Sequence, residues 1–392
     1  MSDLFHWLSD ELQQLSQEAL LRSRREIAPH SPGRLLVDGG EAWDFASNDY
    51  LCLANDSRVV AAAQNAILSH GVGAKASPLV SGRTDLHARL EQRLARFEGT
   101  PAAILFPTGM AANLGTVVAL AGPEDVVYCD RWNHASLVDG CRLSGAKFRV
   151  YRHDDLSSLK RSLQQETARR KFLVTDSLFS MDGDVAPLPE LCELAEHFGA
   201  AIILDEAHGT GVFGQRGRGV AELLGVEERI HVRVGTLSKS IGALGGFVVG
   251  SQVLIDFLWN KARTQIYSTA LPSALCAAAI AALEILQAEP QRRERLQARA
   301  DSFRKSLIDH GVTPLAGSIG PIVPLVLNEP RIAVQVAEQL LQRGFLVGAI
   351  RPPTVPRGTS RLRVTLHSET PDEVVTNLAK TLGELVSIHQ NE

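Results

Sequence analysis

The chain has 392 residues, of which 45% are hydrophobic and 21% are charged, and its formal net charge is −4. This length predicts one large domain with one or two smaller ones, and the negative charge argues against a nucleic-acid or membrane-surface protein. The five cysteines are scattered without a Cys-x-x-Cys pair, which argues against a zinc site or a disulfide framework and is typical of the reducing cytoplasm.

The N-terminal region is predicted to be helical from about Leu4 to Ile27, because leucines recur at helical spacing and the pattern stops before Pro29. No apolar run at the start of the chain is long enough to predict a signal peptide or a membrane span. A short meander is predicted from Arg34 to Phe45. Residues 1–45 therefore form the first of three predicted parts.

Short apolar segments alternate with helical or loop segments from about Val59 to Leu286. Strands are predicted at Ala103–Phe106, Val126–Cys129, Phe172–Thr175, Ala201–Leu204, Val232–Val234 and Gly246–Val249. Continuously apolar strands that alternate with helices are typical of a mostly parallel sheet covered on both faces. The sequence thus predicts an α/β fold with a large domain over residues 46–288.

A second region begins after Glu289-Pro290 with a long charged helix, predicted from Arg292 to Leu307. Its other predicted elements are two strands and a helix: Ile322–Leu327, Leu362–Thr365 and Ala333–Arg343. These elements predict a small C-terminal α/β domain over residues 289–392.

Two side chains that follow neighbouring apolar strands define the predicted chemistry, Asp205 and Lys239. Gly235-Thr236 before the lysine and Gly242 after it leave room for a planar group beside the backbone. A desolvated lysine in such a place is a nucleophile, which can hold pyridoxal phosphate (PLP) as a Schiff base while an aspartate pairs with the ring nitrogen. A solvated lysine and a turn aspartate are the structural alternatives.

The segment Phe106–Asn113 ends a strand and opens a helix, which suits a phosphate group. Thr108 can cap this helix, and the backbone N–H groups near Gly109 and Met110 can form an anion cradle. Thr236 can add a hydroxyl to the same phosphate. A capped helix without a ligand is the alternative.

Further polar side chains follow other strands. His208, three residues after Asp205, can reach the phenolic oxygen of the cofactor ring, and His134 can stack on that ring. Ser180 follows another strand end and can also face the cofactor. The run Arg361-Leu362-Arg363 lies on a predicted strand, where a guanidinium can bind a substrate carboxylate bidentately, although a salt-bridged strand arginine is equally compatible.

Together these motifs resemble those of the α-oxoamine synthases, PLP enzymes of fold type I that condense an amino acid with an acyl-CoA and release carbon dioxide. Within this family, the turn Ile350–Pro356 is most similar to that of members that use L-alanine and a pimeloyl thioester in biotin synthesis. Another α-oxoamine synthase activity, such as that of a glycine C-acetyltransferase, is the alternative. The matching motifs span nearly the whole chain: Ser47–Leu51, Phe179–Asp184, Asp205–Gly211, Lys239 and Arg361–Arg363.

The resemblance implies a role for each matching residue. Lys239 would carry the cofactor and then act as a base, with Asp205 at the pyridinium nitrogen. His208 would bind the phenolic oxygen, and His134 would stack on the ring. The other implied cofactor residues are Gly109, Met110, Ser180 and Thr236.

On the substrate side, the resemblance implies that Arg363 holds the amino-acid carboxylate and that Asn48 lies near the substrate. Arg22 and Thr354 would contact the acyl substrate. Family members are homodimers with active sites at the subunit interface, and Tyr267–Thr269 resembles the segment that reaches the partner's phosphate site.

One loop departs from the family pattern. Lys75 and Pro78 stand in the segment Gly73–Pro78, where the family has a loop richer in glycine and serine. This departure lies on the predicted substrate side.

Two other classes of protein share single features with the chain. The sequence Asp205–His208 occurs as the DEAH box of ATP-driven helicases, but the chain has no Gly-x-x-x-x-Gly-Lys-Ser/Thr loop. A non-catalytic subunit on the same fold is disfavoured because Lys239, Asp205, His134 and His208 are all present.

Overall fold

Two β-sheets and the helices packed on them form the protein, in a computed structural model that describes residues 4–31 and 33–390. The start of the chain, to which the signal-peptide prediction refers, lies partly outside these residues. The strands in chain order are β1 (Ile27–Ser31), β2 (Arg34–Val37), β3 (Gly40–Phe45), β4 (Ala102–Phe106), β5 (Val126–Asp130), β6 (Lys147–Tyr151), β7 (Lys171–Asp176), β8 (Ala200–Asp205), β9 (Val232–Thr236), β10 (Gly246–Gly250), β11 (Ile322–Asn328), β12 (Phe345–Ile350) and β13 (Ser360–Thr365).

The α-helices are α1 (Trp7–Gln17), α2 (Ser57–His70), α3 (Asp85–Glu98), α4 (Gly109–Leu120), α5 (Ala135–Leu143), α6 (Leu156–Gln164), α7 (Leu188–Phe198), α8 (Val220–Leu223), α9 (Gln252–Lys261), α10 (Arg263–Ile266), α11 (Ser273–Ala288), α12 (Gln291–Asp309), α13 (Pro330–Gln342) and α14 (Asp372–Gln390). Among the described residues no single helix is long and apolar enough to cross a membrane. The pair α11 and α12, bent by 75°, meets that requirement together by length and composition only.

The chain divides into two compact units. The first unit comprises Met1–Ser47, Met181–Gly183 and Arg295–Glu392, and the second comprises Asn48–Ser180 and Asp184–Glu294. The predicted division into three domains, with boundaries after residues 45 and 288, stays a proposal.

The sheet of the second unit has the strand order β4-β10-β9-β8-β7-β5-β6. The strands from β9 to β6 run parallel, whereas β10 pairs antiparallel with both β4 and β9. All strands predicted for this region are present, so the mostly parallel sheet is confirmed. The additional strand β6 lies at the edge and exposes Lys147, Arg149 and Val150, so it lacks the apolar run that predicts the others.

The core of the second unit fixes the carboxyl ends of these strands. Strands β4 and β5 are buried along their whole length, and helices α4, α5 and α9 pack against the sheet. Burying each Val, Leu or Ile side chain contributes about 1.5–3 kcal/mol. Polar residues that directly follow these strands are therefore held on a rigid edge.

The sheet of the first unit has the order β1-β2-β3-β12-β13-β11. The predicted meander and the two predicted C-terminal strands are confirmed, and β3 pairs in parallel with β12. Strand β12 was not predicted. It begins three residues after the end of α13, and a short apolar run at this position is compatible both with a strand and with a longer helix.

The prediction of a helix up to Ile27 was wrong. Helix α1 ends at Gln17, and Ala19 adopts a left-handed conformation with φ 54°. Ile27–Ser31 then forms β1, with Pro29 opposite Leu35 of β2. The leucines at helical spacing up to Leu15 lie in or before α1, so their pattern does not extend to the segment that pairs with β2.

A buried arginine–carboxyl contact lies near the start of β9 in the second unit. Arg233 is 4% exposed, and it donates from Nη1 to Glu98 Oε2 at 3.1 Å and from Nη2 to the Glu98 carbonyl oxygen at 2.6 Å. Burial raises the pKa of Glu98 to about 8, and the charge of Arg233 reverses this shift only in part.

Replacing Arg233 with leucine is expected to lower the free energy of unfolding by about 3 kcal/mol, because Glu98 and its carbonyl lose a buried donor. Glu98→Gln is expected to cost less. The free energy of unfolding of Glu98→Gln, relative to that of the unchanged protein, should rise as the pH rises from about 4.5 to about 8. The reason is that the unchanged protein loses stability over this range, because folded Glu98 holds a proton that the unfolded chain releases. Urea unfolding at several pH values measures both effects, and an Arg233→Leu protein of unchanged stability would contradict the first.

Candidate active site

A cavity of about 240 Å³ lies at the carboxyl ends of the parallel strands in the second unit. Its walls come from segments that follow β4, β5, β7, β8 and β9. Open α/β sheets bind ligands at this edge. The residues predicted to bind a cofactor all line the cavity: Gly109, Met110, His134, Ser180, Asp205, His208, Thr236 and Lys239.

Lys239 lies in a tight turn between β9 and β10. The Leu237 N–H donates to Gly245 O at 2.9 Å, and the Gly242 N–H donates to Lys239 O at 2.8 Å. Gly242 has φ 69°, and a Cβ there would clash with the backbone of Ala54. The turn therefore fixes the backbone of the lysine whose side chain lines the cavity.

Helix α4 begins at the cavity wall. Thr108 caps it, because its Oγ1 accepts the Ala111 N–H at 3.0 Å. The N–H groups of Gly109 and Met110 lack an intrahelical acceptor and attract an anion together with the helix dipole. A Cβ on Gly109 would lie 3.1 Å from the side chain of Thr236, so glycine keeps this cradle open. A phosphate group fits this set of donors.

Asp205 ends β8 and is 5% exposed. Its Oδ2 accepts a hydrogen bond from Asn113 Nδ2 at 2.5 Å, and its Oδ1 accepts the Ala207 N–H at 2.7 Å. The side chain of Asp205 therefore lies in the cavity wall with a hydrogen-bond donor on each of its oxygens.

A hydrogen-bond chain connects Asp205 to His134. Asn113 Nδ2 also donates to Ser136 Oγ at 3.0 Å, and Ser136 Oγ lies 2.7 Å from His134 Nδ1. Desolvation lowers the pKa of the His134 imidazole, while the charge of Asp205 opposes this shift and that of Lys239 adds to it. The imidazole is therefore neutral near pH 7, which suits stacking on a planar ring.

His208 also lines the cavity and contacts a buried tyrosine. Its Nδ1 lies 2.7 Å from the hydroxyl of Tyr50, which is 0% exposed. The same hydroxyl donates to Asn48 Oδ1 at 3.2 Å. Tyr50 thus connects a predicted cofactor residue to a predicted substrate residue.

The four predicted substrate residues belong to both units. Arg363 lies on β13 and is 7% exposed, whereas Arg22 and Thr354 are exposed in the first unit. Arg22 Nη2 lies 3.5 Å from the carbonyl oxygen of Pro352. Asn48 belongs to the same unit as the cavity, and the substrate-binding roles of all four residues stay proposals.

His153 connects two loops that carry cavity residues. Its Nδ1 donates to Asp130 Oδ2 at 3.0 Å, and its Nε2 donates to Asp184 Oδ2 at 2.7 Å. Burial opposes a charge on the ring, but these hydrogen bonds outweigh it and raise the pKa of His153 to about 10. Because Asp130 precedes His134 and Asp184 follows Ser180, the imidazolium fixes both loops.

Replacing His153 with alanine is expected to lower the free energy of unfolding by about 2 kcal/mol below about pH 6.5, because two charged hydrogen bonds are lost. The folded-state pKa is raised, so this contribution is fully present below the unfolded pKa and is lost as the pH rises through about 10. Urea unfolding at about pH 6 and pH 9 measures the trend. The exposed His310→Ala variant is the control, and an identical pH trend in both variants would contradict the prediction.

The cavity residues without a predicted role include Asn113, Ser136 and Asp176. Asp176 ends an apolar strand as Asp205 does, so the same sequence signal was available for it. Asn113 lies about one helical turn after Gly109, on the helix that the sequence predicts to face a phosphate. Ser136 carries no signal of its own, because its importance depends on the distance to His134.

Comparisons with known proteins extend over nearly the whole chain. A family model described as aminotransferase class I and II matches residues 41–382. A putative 8-amino-7-oxononanoate synthase of Desulforudis audaxviator is 48% identical over 382 residues, which cover 96% of this chain and 99% of that protein. The 8-amino-7-oxononanoate synthase of Methylococcus capsulatus is 46% identical over 366 residues, covering 93% and 94%. A solved serine palmitoyltransferase from S. paucimobilis, with a bound PLP–myriocin aldimine, has a TM-score of 0.92 and 31% identity over 98% of both chains.

Proposed function

The chain belongs to the aminotransferase class I and II family, and we propose that it catalyses the PLP-dependent condensation of L-alanine with a pimeloyl thioester to 8-amino-7-oxononanoate, a step of biotin synthesis. The observation that carries this proposal is the cavity in which Lys239, Asp205 and His134 lie beside an anion cradle. The relatives at 48% and 46% identity are named for this reaction. The fold is that of the fold type I PLP-dependent transferases.

The residues of the cavity fit PLP in charge and hydrogen-bonding chemistry. The α4 N-terminus and Thr236 would hold the phosphate, Asp205 would pair with the ring nitrogen, and His208 would bind the phenolic oxygen. Ser180 and His134 would complete the site around the ring. When bound, PLP supplies an electron sink for the negative charge that develops at the carbon next to the amino group.

The side chains of this protein would bind and orient the cofactor and move protons beside it. Lys239 would hold the cofactor, and its free amine would remove the proton from the alanine Cα. Asp205, with the hydrogen bond from Asn113, would keep a proton on the ring nitrogen. The imidazole of His134 would stack on the ring.

The proposed reaction forms one carbon–carbon bond and breaks one carbon–sulfur bond and one carbon–carbon bond. The deprotonated alanine carbon bonds to the thioester carbonyl carbon, and the thiol of coenzyme A or of a carrier protein leaves. Carbon dioxide is lost from the alanine carboxyl group, and a proton returns to the same carbon. Arg363 would hold the alanine carboxylate, Asn48 would lie beside the substrate, and Arg22 and Thr354 would contact the pimeloyl group.

We also propose that the protein is a homodimer with shared active sites. Tyr267 is 73% exposed, so the segment Tyr267–Thr269 is accessible to a partner's phosphate site. Size measurement in solution tests the dimer.

The predicted cytoplasmic location agrees with the five free cysteines.

The function is tested with an absorbance spectrum and a substrate panel. The purified protein is incubated with PLP, and free thiol is followed after glycine, L-alanine or L-serine is combined with acetyl-, succinyl-, pimeloyl- or palmitoyl-CoA. We expect a PLP absorbance band and thiol release with L-alanine and pimeloyl-CoA. Release with glycine and acetyl-CoA alone would favour the glycine C-acetyltransferase alternative, and the absence of a band would contradict PLP chemistry at Lys239.

A further inference from the structure

A second buried carboxyl group lies beside Asp205. Strands β7 and β8 pair in parallel with Asp176 and Asp205 as register partners at their carboxyl ends. Both residues are 5% exposed, and both line the cavity. The proposed function assigns a role to Asp205 and none to its neighbour.

The two carboxyl groups have different hydrogen-bond partners. Asp205 accepts from Asn113 Nδ2 and from the Ala207 N–H, whereas Asp176 Oδ2 accepts the His134 N–H at 2.6 Å. The titratable groups that face Asp176 come from four elements: Cys129 on β5, His134 before α5, Asp205 on β8 and Lys239 after β9. Two desolvated carboxylates side by side repel each other, so one of the pair keeps its proton.

Asp176 is the member of the pair that keeps the proton. Burial raises its pKa well above the usual range and the charge of Asp205 adds to this shift, while the His134 N–H and the charge of Lys239 oppose it. Asp205, by contrast, has donors on both of its oxygens.

We propose that Asp176 is a positioning residue of this site, a neutral carboxylic acid that fixes the His134 loop and leaves Asp205 as the charge opposite the cofactor ring. The proposal rests on the proposed function for its cofactor. The backbone supports it, because the Asp176 N–H donates to Asn133 Oδ1 at 3.0 Å and Asn133 Nδ2 donates to Val174 O at 2.7 Å. Together with the hydrogen bond from the His134 N–H to Asp176 Oδ2, these hydrogen bonds connect the loop after β5 to the end of β7.

The first test is urea unfolding of the cofactor-free full chain at about pH 5 and pH 6. Asp176→Asn keeps the shape of the side chain and its acceptor oxygen, and Asp309→Asn, at an exposed position, is the matched control. A carboxyl group that is neutral in the folded state retains a proton that the unfolded chain releases above about pH 4. The folding equilibrium constant of Asp176→Asn relative to the unchanged protein should therefore rise about tenfold per pH unit.

The control ratio is expected to stay flat over the same range. Asp176→Ala also lacks the carboxyl group, so its ratio of folding equilibrium constants must rise with pH as steeply as that of Asp176→Asn. The alanine variant therefore keeps the test valid if the asparagine variant folds poorly. A flat or falling ratio in both variants overturns the assignment of a neutral acid.

A second test separates positioning from charge by measuring the dissociation constant of PLP from its absorbance. Asp176→Ala removes the acceptor of the His134 N–H, so its affinity for PLP should be about tenfold weaker than that of Asp176→Asn. Equal affinities overturn the positioning role. Failure of the unchanged protein to bind PLP would contradict the proposed function, whereas the unfolding measurement needs no cofactor and reports on Asp176 alone.

Discussion

Replacing Lys239 with alanine is expected to abolish the PLP absorbance band of the protein and to lower kcat by at least about 10⁴-fold. In the proposed reaction one amine both binds the cofactor and removes the Cα proton, and the cavity offers no second lysine among its described lining residues. Lys239→Arg is the stricter variant, because it keeps the positive charge and loses the nucleophilic amine.

The control for this prediction is Lys305→Ala on the exposed face of α12, which should leave both the absorbance band and kcat unchanged. Thermal unfolding of the cofactor-free variants separates a chemical effect from a folding defect. Turnover by Lys239→Ala close to that of the control would remove the basis of the proposed chemistry.

The large sheet could be predicted in detail because its strands are short, continuous apolar runs. Strand β8, for example, carries Ile202, Ile203 and Leu204, all 0% exposed, and then ends in Asp205. Strand β1 could not be predicted, because its residues are all exposed and its pairing with β2 depends on contacts outside the segment. Edge strand β6 was missed because three of its five residues are exposed and two of these are charged, so it lacks a continuous apolar run.

The candidate site could be predicted where a chemically distinctive residue ends a strand or closely follows one. Asp205 ends β8, and the cavity brings it together with three residues that follow strand ends, Lys239, His134 and His208. The supporting residues could not be found in this way, because asparagine and serine are common and Asn113 matters only through its distance of 2.5 Å to Asp205. Asn113 lies on α4 and Ser136 lies on α5, so their roles depend on how these helices pack beside the ends of the strands.

Replacing Asp205 with asparagine is expected to lower kcat by about 10²–10³-fold with a smaller loss of PLP affinity. An adjacent carboxylate raises the pKa of a cationic partner by about 1–3 units, so the neutral amide leaves the ring nitrogen largely unprotonated near pH 7. Asparagine keeps the size of the side chain and an oxygen that can accept from Asn113, so the cavity should keep its shape. Steady-state kinetics with L-alanine and pimeloyl-CoA, together with PLP titration, measure the two effects separately.

The matched control for Asp205 is Asp256→Asn on the exposed face of α9, which removes the same charge away from the cavity. Asp205→Glu tests position, because it restores the charge but moves it by about one methylene group. If charge opposite the ring nitrogen is what matters, the glutamate variant should recover part of the activity that asparagine loses. Equal activity of the asparagine variant and the control would mean that Asp205 does not act on the cofactor ring, and the hydrogen bonds from Asn113 and Ala207 would then have only a structural role.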